Sequence, residues 1–179
     1  NMKKDIKLLR QYARLKQLPS VLYLGKINND IRNDLLQISK TTPISNARGI
    51  SNRSGVYDTS SPVGKSYNQK HLDNFTHNIS CLDSFINMSE WRFAELDPDS
   101  VIPMHLDDPY KYRFMIILYG SHKFINENAE TNMELDEVWF INPAYNHGVH
   151  NYNKSKHRIA LLGKIEINEH NTGILRART

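Results

Sequence analysis

Side chains able to hold a metal ion are concentrated in two short runs of this sequence. The run IPMHLDD at 102–108 contains His105 and Asp107 as an HxD pair, and the run AYNHGVHNYNKSKHR at 144–158 contains His147, His150 and Arg158. Two histidines and one carboxylate can occupy one face of an octahedral metal and leave the other positions open, as in non-haem Fe(II) oxygenases. A following arginine suits an acidic co-substrate, because a guanidinium binds a carboxylate through two parallel hydrogen bonds. Together these residues indicate Fe(II) chemistry with 2-oxoglutarate.

The spacing of these residues predicts which side chains can meet. His105 and Asp107 are two positions apart just before an apolar run, and on an extended segment such residues point to the same side. His147 and His150 are three apart, so in a strand they face opposite sides and only one can join the pair. The spacing alone does not choose between them. The other options are two histidines expected at the surface or at a strand edge, His122 and His157.

Two arginines stand at the start of apolar segments. Arg158 precedes the apolar run 159–162, and Arg113 opens the run RFMIILY. A charge held in such a place needs an anionic partner, because an unpaired interior charge is costly. For Arg158 the partner is either Glu137 in a salt bridge or the distal carboxylate of 2-oxoglutarate.

Periodicity divides the chain into a helical beginning and a strand-rich second half. Apolar residues recur at helical spacing over 3–17 and 29–39, with Asn29 or Asp30 as the cap of the second helix, and 21–24 reads as a short strand. Strands are predicted over 91–96, 113–119, 137–142 and 157–167, a series typical of a β-sandwich or barrel. Between the two parts, 41–70 is polar and carries no persistent period, so it is interpreted as a lid over the site or a surface loop.

Composition favours one globular domain spanning 1–179, with a helical part at 1–40, the polar loop or lid at 41–70 and a β core at 86–170. The net charge is +4, from 23 basic and 19 acidic residues. The basic stretch at 2–16 has a helical period and is interpreted as a solvated helix face rather than a nucleic-acid site. Cys81 is the only cysteine and no apolar run reaches membrane-spanning length, so a cytoplasmic protein without disulfides or membrane partners is expected.

The block from 91 to 167 resembles the aspartyl/asparaginyl β-hydroxylase-like branch of 2-oxoglutarate oxygenases, within the cupin superfamily. It is also similar to small bacterial hydroxylases of free amino acids, including the proline cis-hydroxylase type. The matching elements are IPMHLD, the arginine-led strand RFMIIL, then DEVWFINPAYNHGVHN and HRIALL. The chain departs from the family at Asp136, where glycine is frequent, and the first half carries no matching motif.

The resemblance implies a double-stranded β-helix, or jelly roll, with N-terminal helices. It implies His105, Asp107 and His147 as the catalytic Fe(II) ligands, Arg158 as the residue that binds 2-oxoglutarate, and Arg113 as a second arginine on the co-substrate. The implied reaction uses O2 to hydroxylate an amino acid, free or within a peptide, and converts 2-oxoglutarate to succinate and CO2. Trp91, Arg92 or Asn142 could line the substrate pocket. The alternative is a non-catalytic cupin-type barrel that binds a metal or a small ligand.

Overall fold

A computed structural model of the chain describes residues 2–50, 57–58 and 65–179, and for 46–50, 57–58 and 65–66 it describes the backbone alone. The helices are α1 (Met2–Leu15), α2 (Asn29–Thr41) and α3 (Glu169–Ala177). The strands of the first half are β1 (Val21–Lys26), β2 (Asn46–Ile50), β3 (Tyr57–Asp58) and β4 (Lys65–His71). Those of the second half are β5 (Met88–Leu96), β6 (Ser100–His105), β7 (Lys111–Tyr119), β8 (His122–Asn126), β9 (Glu130–Met133), β10 (Glu137–Ile141), β11 (His147–Asn151) and β12 (Arg158–Glu166).

These strands form two antiparallel sheets that pack face to face. The large sheet has the order β1-β10-β7-β12-β5-β4-β2-β3, and the small sheet has the order β6-β11-β8-β9. One apolar cluster lies between the sheets, and a second lies between the outer face of the large sheet and the helices. The predicted jelly roll with N-terminal helices is confirmed.

Strand β7 shows why its apolar run is nearly continuous. Phe114 and Ile116 belong to the cluster beneath the helices, whereas Met115 and Ile117 belong to the cluster between the sheets. Successive side chains of a strand point to opposite faces, so a strand covered on both faces must be apolar at almost every position. Gly163 of the neighbouring β12 has no room for a side chain, since a Cβ there would lie 2.1 Å from the Phe114 ring.

The N-terminal part is built into the jelly roll. The predicted strand at 21–24 becomes β1, which pairs with β10 at the edge of the large sheet. The cap of helix α2 is Asn28, one residue before the first predicted cap Asn29, because Asn28 accepts a hydrogen bond from the backbone N–H of Ile31 at 2.9 Å. At the other end of α2, Lys70 donates to the carbonyl of Ser39 and pairs with Glu95. These contacts join the helix to β4 and β5.

The polar segment 41–70 is only partly a loop, which corrects the interpretation of this region. Strands β2, β3 and β4 fall within it, and β4 extends the large sheet by pairing along β5 from Tyr67 to His71. Such strands show little apolar periodicity in the sequence, because they are held in place by backbone hydrogen bonds to the sheet and not by a row of buried apolar side chains. The lid interpretation falls on 51–56 and 59–64, which lie outside the described residues.

Several further elements were not predicted, among them β6 and β11. Strands β8 and β9 form a hairpin in the small sheet, and α3 follows the last strand. Helix α3 buries Asn171 and Thr172 together with Leu175, so its inner face has no apolar stripe. Its start was still readable, since Asn168 caps the helix by accepting from the N–H of Asn171. No helix among the described residues has the length and apolar character needed to cross a membrane.

Candidate metal centre and cavity

Two strands of the small sheet bring the candidate histidines together. His105 ends β6 and His147 begins β11, and the two residues are paired directly across the antiparallel ladder. Their ring centroids lie 4.4 Å apart. Gly148 permits this close crossing, because a Cβ there would lie 2.7 Å from the carbonyl oxygen of Ile102 on β6.

The Asp107 carboxylate lies between the two imidazoles. Its Oδ1 is 3.5 Å from Nε2 of His105, and its Oδ2 is 3.3 Å from Nε2 of His147. One donor atom from each of the three residues lies within 4.8 Å of the others. Nδ1 of His105 lies 2.8 Å from the carbonyl of Pro103, and Nδ1 of His147 lies 2.9 Å from that of Tyr145. Each ring therefore donates Nδ1–H to the backbone and turns Nε2 towards the carboxylate, as metal-binding histidines do.

The electrostatics of the cluster keep Asp107 ionised. Burial alone would raise the pKa of its carboxyl group, but hydrogen bonds from His105 and His147 and the positive charge of Arg113 hold it well below its ordinary value. Arg113 Nε lies 2.9 Å from Asp107 Oδ2, but its N–H is not directed along that line, so the contact is mainly one of charge. The His105 pKa is raised despite burial, because its partner Asp107 favours the charged ring. A cation at the cluster's centre would compete with that proton.

The remaining candidate histidines lie elsewhere. His150 faces away from the cluster, with Nε2 3.9 Å from Asp99 Oδ1 and its ring against Tyr152. His157 is exposed and lies 3.3 Å from an oxygen of Asp97. His122 was expected at the surface or a strand edge, but it is buried between the sheets and contacts the sulfur of Met133 at 3.2 Å. Packing against the second sheet covers it, which local sequence does not reveal.

The cluster opens into a cavity of about 310 Å³ between the two sheets. Its apolar lining includes Ile102, Phe114, Met115, Phe124, Ile141, Val149 and Leu162. Besides the three cluster residues, its polar lining is Tyr67, Gln69, Arg92, Arg113 and Arg158. This combination of an apolar wall with a few converging polar groups is typical of a small-molecule site.

Arg158 is almost completely enclosed, with 1% of its surface exposed. It begins β12, and its Nη1 donates to the carbonyl of Ala94 at 3.4 Å. The proposed salt-bridge partner Glu137 is engaged elsewhere, because its Oε1 accepts from the N–H of Glu134 at 2.6 Å. Arg158 thus places a guanidinium against the same cavity as the metal cluster, and its binding role stays a prediction.

Of the three residues predicted to line the pocket, the structure places one in the cavity and two elsewhere. Arg92 lines the cavity. Trp91 instead stacks on Phe75 beneath the helices, with ring centroids 3.9 Å apart. Asn142 anchors the end of α1, because its Nδ2 donates to the carbonyls of Leu15, Leu18 and Pro19. Alternation along β5 was the signal that separates Arg92 from Trp91, since Arg92 shares the inner face of Ala94 and Leu96.

Sequence reasoning missed two polar residues of the cavity. Tyr67 and Gln69 project from β4, and Gln69 Nε2 donates to the Tyr67 hydroxyl at 3.0 Å. They stand two apart in a polar segment, which is a strand pattern too short to recognise without the neighbouring strand.

Comparison with known proteins adds evidence at the level of the fold. No family model matches the chain, and no curated protein matches its sequence. Among solved structures, a 2OG-Fe(II) oxygenase family oxidoreductase from Burkholderia pseudomallei aligns with a TM-score of 0.59 and 12% identity, covering 89% of this chain and 90% of that one. A Pseudomonas putida prolyl-4-hydroxylase aligns with a TM-score of 0.54 and 12% identity, covering 90% and 99%. The chain therefore has the same fold as these two proteins over nearly its whole length.

Proposed function

We propose that this protein is an Fe(II)- and 2-oxoglutarate-dependent oxygenase that hydroxylates an amino acid, with conversion of 2-oxoglutarate to succinate and CO2. The observation that carries the proposal is the pairing of the His105–Asp107–His147 cluster with the enclosed Arg158 in one cavity. The likeness in fold to an oxygenase-family protein and to a prolyl-4-hydroxylase supports it.

The donor set fits iron. Two imidazole nitrogens and one carboxylate oxygen form the facial triad, and Asp107 is already ionised as a ligand must be. The carbonyls of Pro103 and Tyr145 hold each imidazole in the tautomer whose Nε2 lone pair faces the cluster. When bound, Fe(II) would supply the activation of O2 and 2-oxoglutarate would supply two electrons.

The remaining cavity residues would orient the reactants and exclude water. Arg158 would bind the distal carboxylate of 2-oxoglutarate, and its burial makes that charge-assisted hydrogen bond strong. Arg113 would hold Asp107 in place and could assist the co-substrate, as the resemblance implies. The apolar wall around Phe124 and Ile141 would keep the reacting carbon in a water-poor space.

The test is an anaerobic titration of the purified protein with Fe(II) and then 2-oxoglutarate, followed by visible absorption. We expect a weak metal-to-ligand charge-transfer band in the wild-type protein, lost in His105→Ala. His150→Ala is the matched control, since His150 lies outside the cluster, and it should keep the band.

The alternatives give different results in the same titration. Iron binding without a 2-oxoglutarate band would favour a non-catalytic cupin-type binding barrel. A protein that binds no iron would disprove the ligand role of the cluster. Where the band forms, slow O2-dependent loss of 2-oxoglutarate without added substrate would identify an enzyme.

A further inference from the structure

The described walls of the cavity carry more positive charge than the proposed co-substrate needs. Three guanidinium groups face it, on Arg92, Arg113 and Arg158, against the single carboxylate of Asp107. Arg113 lies 2.9 Å from that carboxylate. On the proposed function, 2-oxoglutarate brings one distal carboxylate to Arg158. Arg92 forms no salt bridge with a carboxylate among the described residues, and Asp107 and Glu90 act on its charge only from a distance.

The surroundings of Arg92 are unfavourable for a cation. Its Nε is buried and has no hydrogen-bond partner among the described residues. Burial is the largest effect on Arg92 and lowers its pKa; the like charge of Arg113 lowers it as well, whereas Tyr67, Asp107 and Glu90 raise it without offsetting the burial. A partly buried guanidinium without an acceptor costs folding free energy. Local features that oppose stability in this way are concentrated where a protein binds a ligand.

The sheet register separates Arg92 from Arg158. Arg92 pairs with Leu162 across β5 and β12, whereas Arg158 pairs with Leu96. The two positions are four residues apart along each strand, or about 13 Å at about 3.3 Å per residue. The two side chains therefore start from different ends of the cavity, so there is room for an anion at Arg92 apart from the one proposed at Arg158.

Strand β4 adds a second donor to the cavity wall. Tyr67 pairs with Leu96, four residues along β5 from Arg92, and its phenol faces the same cavity and acts on the charge of Arg92. The Tyr67 hydroxyl accepts from Gln69 Nε2 and keeps its own proton to donate. A planar guanidinium and a phenol that line the same cavity suit a carboxylate, which accepts several hydrogen bonds at once. Resting on the proposed function, we propose that Arg92 and Tyr67 form the subsite for a carboxylate of the substrate, so that the substrate is a free acid, such as a free amino acid, and not a residue within a protein chain.

The experiment compares wild-type protein with Arg92→Gln, and uses Arg10→Gln as a control because Arg10 is exposed on α1. The probes are the proteinogenic L-amino acids and the C-terminal amide of each one. Binding is measured by ligand-observed NMR on the metal-free protein and again after anaerobic addition of Fe(II) and 2-oxoglutarate. The 2-oxoglutarate band is titrated in parallel.

We expect at least one free acid to bind the wild-type protein and its amide to bind about 30-fold more weakly. Arg92→Gln should lose that preference, keep its affinity for 2-oxoglutarate, and melt at or above the wild-type temperature because an unfavourable charge is gone. Arg92→Lys keeps the positive charge but lacks the planar guanidinium, so it should retain part of the preference for free acids over amides. It replaces Arg92→Gln in the experiment if that variant fails to fold.

Three results would overturn the subsite: equal binding of acids and amides, no binding of either set by wild-type protein, or loss of 2-oxoglutarate binding in Arg92→Gln. Failure of the proposed function looks different. The wild-type protein would then give no 2-oxoglutarate band, while free acids bound through Arg92 would still support the subsite.

Discussion

At the scale of single residues, the cavity holds charged groups that are largely buried. Asp107 remains charged although it is largely buried, because two imidazoles and Arg113 stabilise the anion. Arg158 is a full charge with almost no exposed surface. On the proposed function, Asp107 would bind the metal and Arg158 would bind the co-substrate.

Replacing Arg158 should weaken the binding of 2-oxoglutarate without weakening the binding of Fe(II). A hydrogen bond to a charged group contributes about 1.5–3 kcal/mol, so Arg158→Gln should raise the Kd of 2-oxoglutarate by about 10- to 100-fold. Fe(II) affinity should change little, because the three cluster residues are intact. Anaerobic titration of the charge-transfer band measures both constants, and an unchanged Kd for 2-oxoglutarate would remove Arg158 from this role.

At the scale of elements, helix α1 supports the loop that carries Asp107. The Tyr12 hydroxyl donates to the carbonyl of Asp107 at 2.9 Å, and Gln11 Nε2 donates to that of Pro109 at 3.3 Å. Neither helix residue is part of the cavity lining. The helix thus restrains a candidate ligand through its backbone, in the way that outer contacts usually orient the ligands of a metal.

Removing that contact should loosen the metal site without unfolding the protein. One neutral hydrogen bond contributes about 1 kcal/mol, so Tyr12→Phe should weaken Fe(II) binding by about 5-fold. Tyr110→Phe is the matched control, because Tyr110 lies in the same loop but is 64% exposed. Anaerobic calorimetry gives the affinities. A lower melting temperature with wild-type Fe(II) affinity would show that Tyr12 only stabilises the fold.

At the scale of the whole molecule, the space between the two sheets serves both stability and binding. Part of it is filled by apolar side chains such as Leu96, Ile117 and Met133, and another part is the cavity. His122 is buried in the filled part, and burial together with the charge of Arg158 lowers its pKa well below the ordinary value. Folding therefore keeps this ring neutral where the unfolded chain would take up a proton.

This difference makes global stability depend on pH. The pKa of His122 is lower in the folded protein than in the unfolded chain, so above about pH 6.5 the ring is neutral in both states and does not change the free energy of unfolding. Below that pH the unfolded chain binds a proton that the folded protein does not, and the free energy of unfolding falls. Between pH 7 and pH 5 the loss reaches at most about 2 kcal/mol. Urea unfolding of His122→Leu should show a correspondingly smaller loss than wild type.

The matched control for this prediction is Met133→Leu, which removes the sulfur contact of His122 but keeps the titratable ring. It should lower stability at both pH values and retain the wild-type pH dependence. Equal losses in wild type and His122→Leu would show that His122 does not contribute to acid sensitivity.

The sequence by itself determined those features that depend on the spacing of residues close together in the chain. The apolar run of β7 marked a strand covered on both faces, and the two-residue spacing of His105 and Asp107 marked side chains that can meet one ligand. The three-residue spacing of His147 and His150 showed that only one of them could join. Such conclusions hold because side-chain direction in a strand follows sequence separation alone.

Tertiary structure alone decided which separated residues share a space. The pairing of β6 with β11 selected His147 over His150, the addition of β4 to the large sheet brought Tyr67 into the cavity, and the packing of the sheets buried His122. Strand pairing between segments far apart in sequence depends on the summed fit of two surfaces, which no local period records. The chemistry of the candidate centre was therefore readable from residue types, while the number and placement of the arginines around it required the fold.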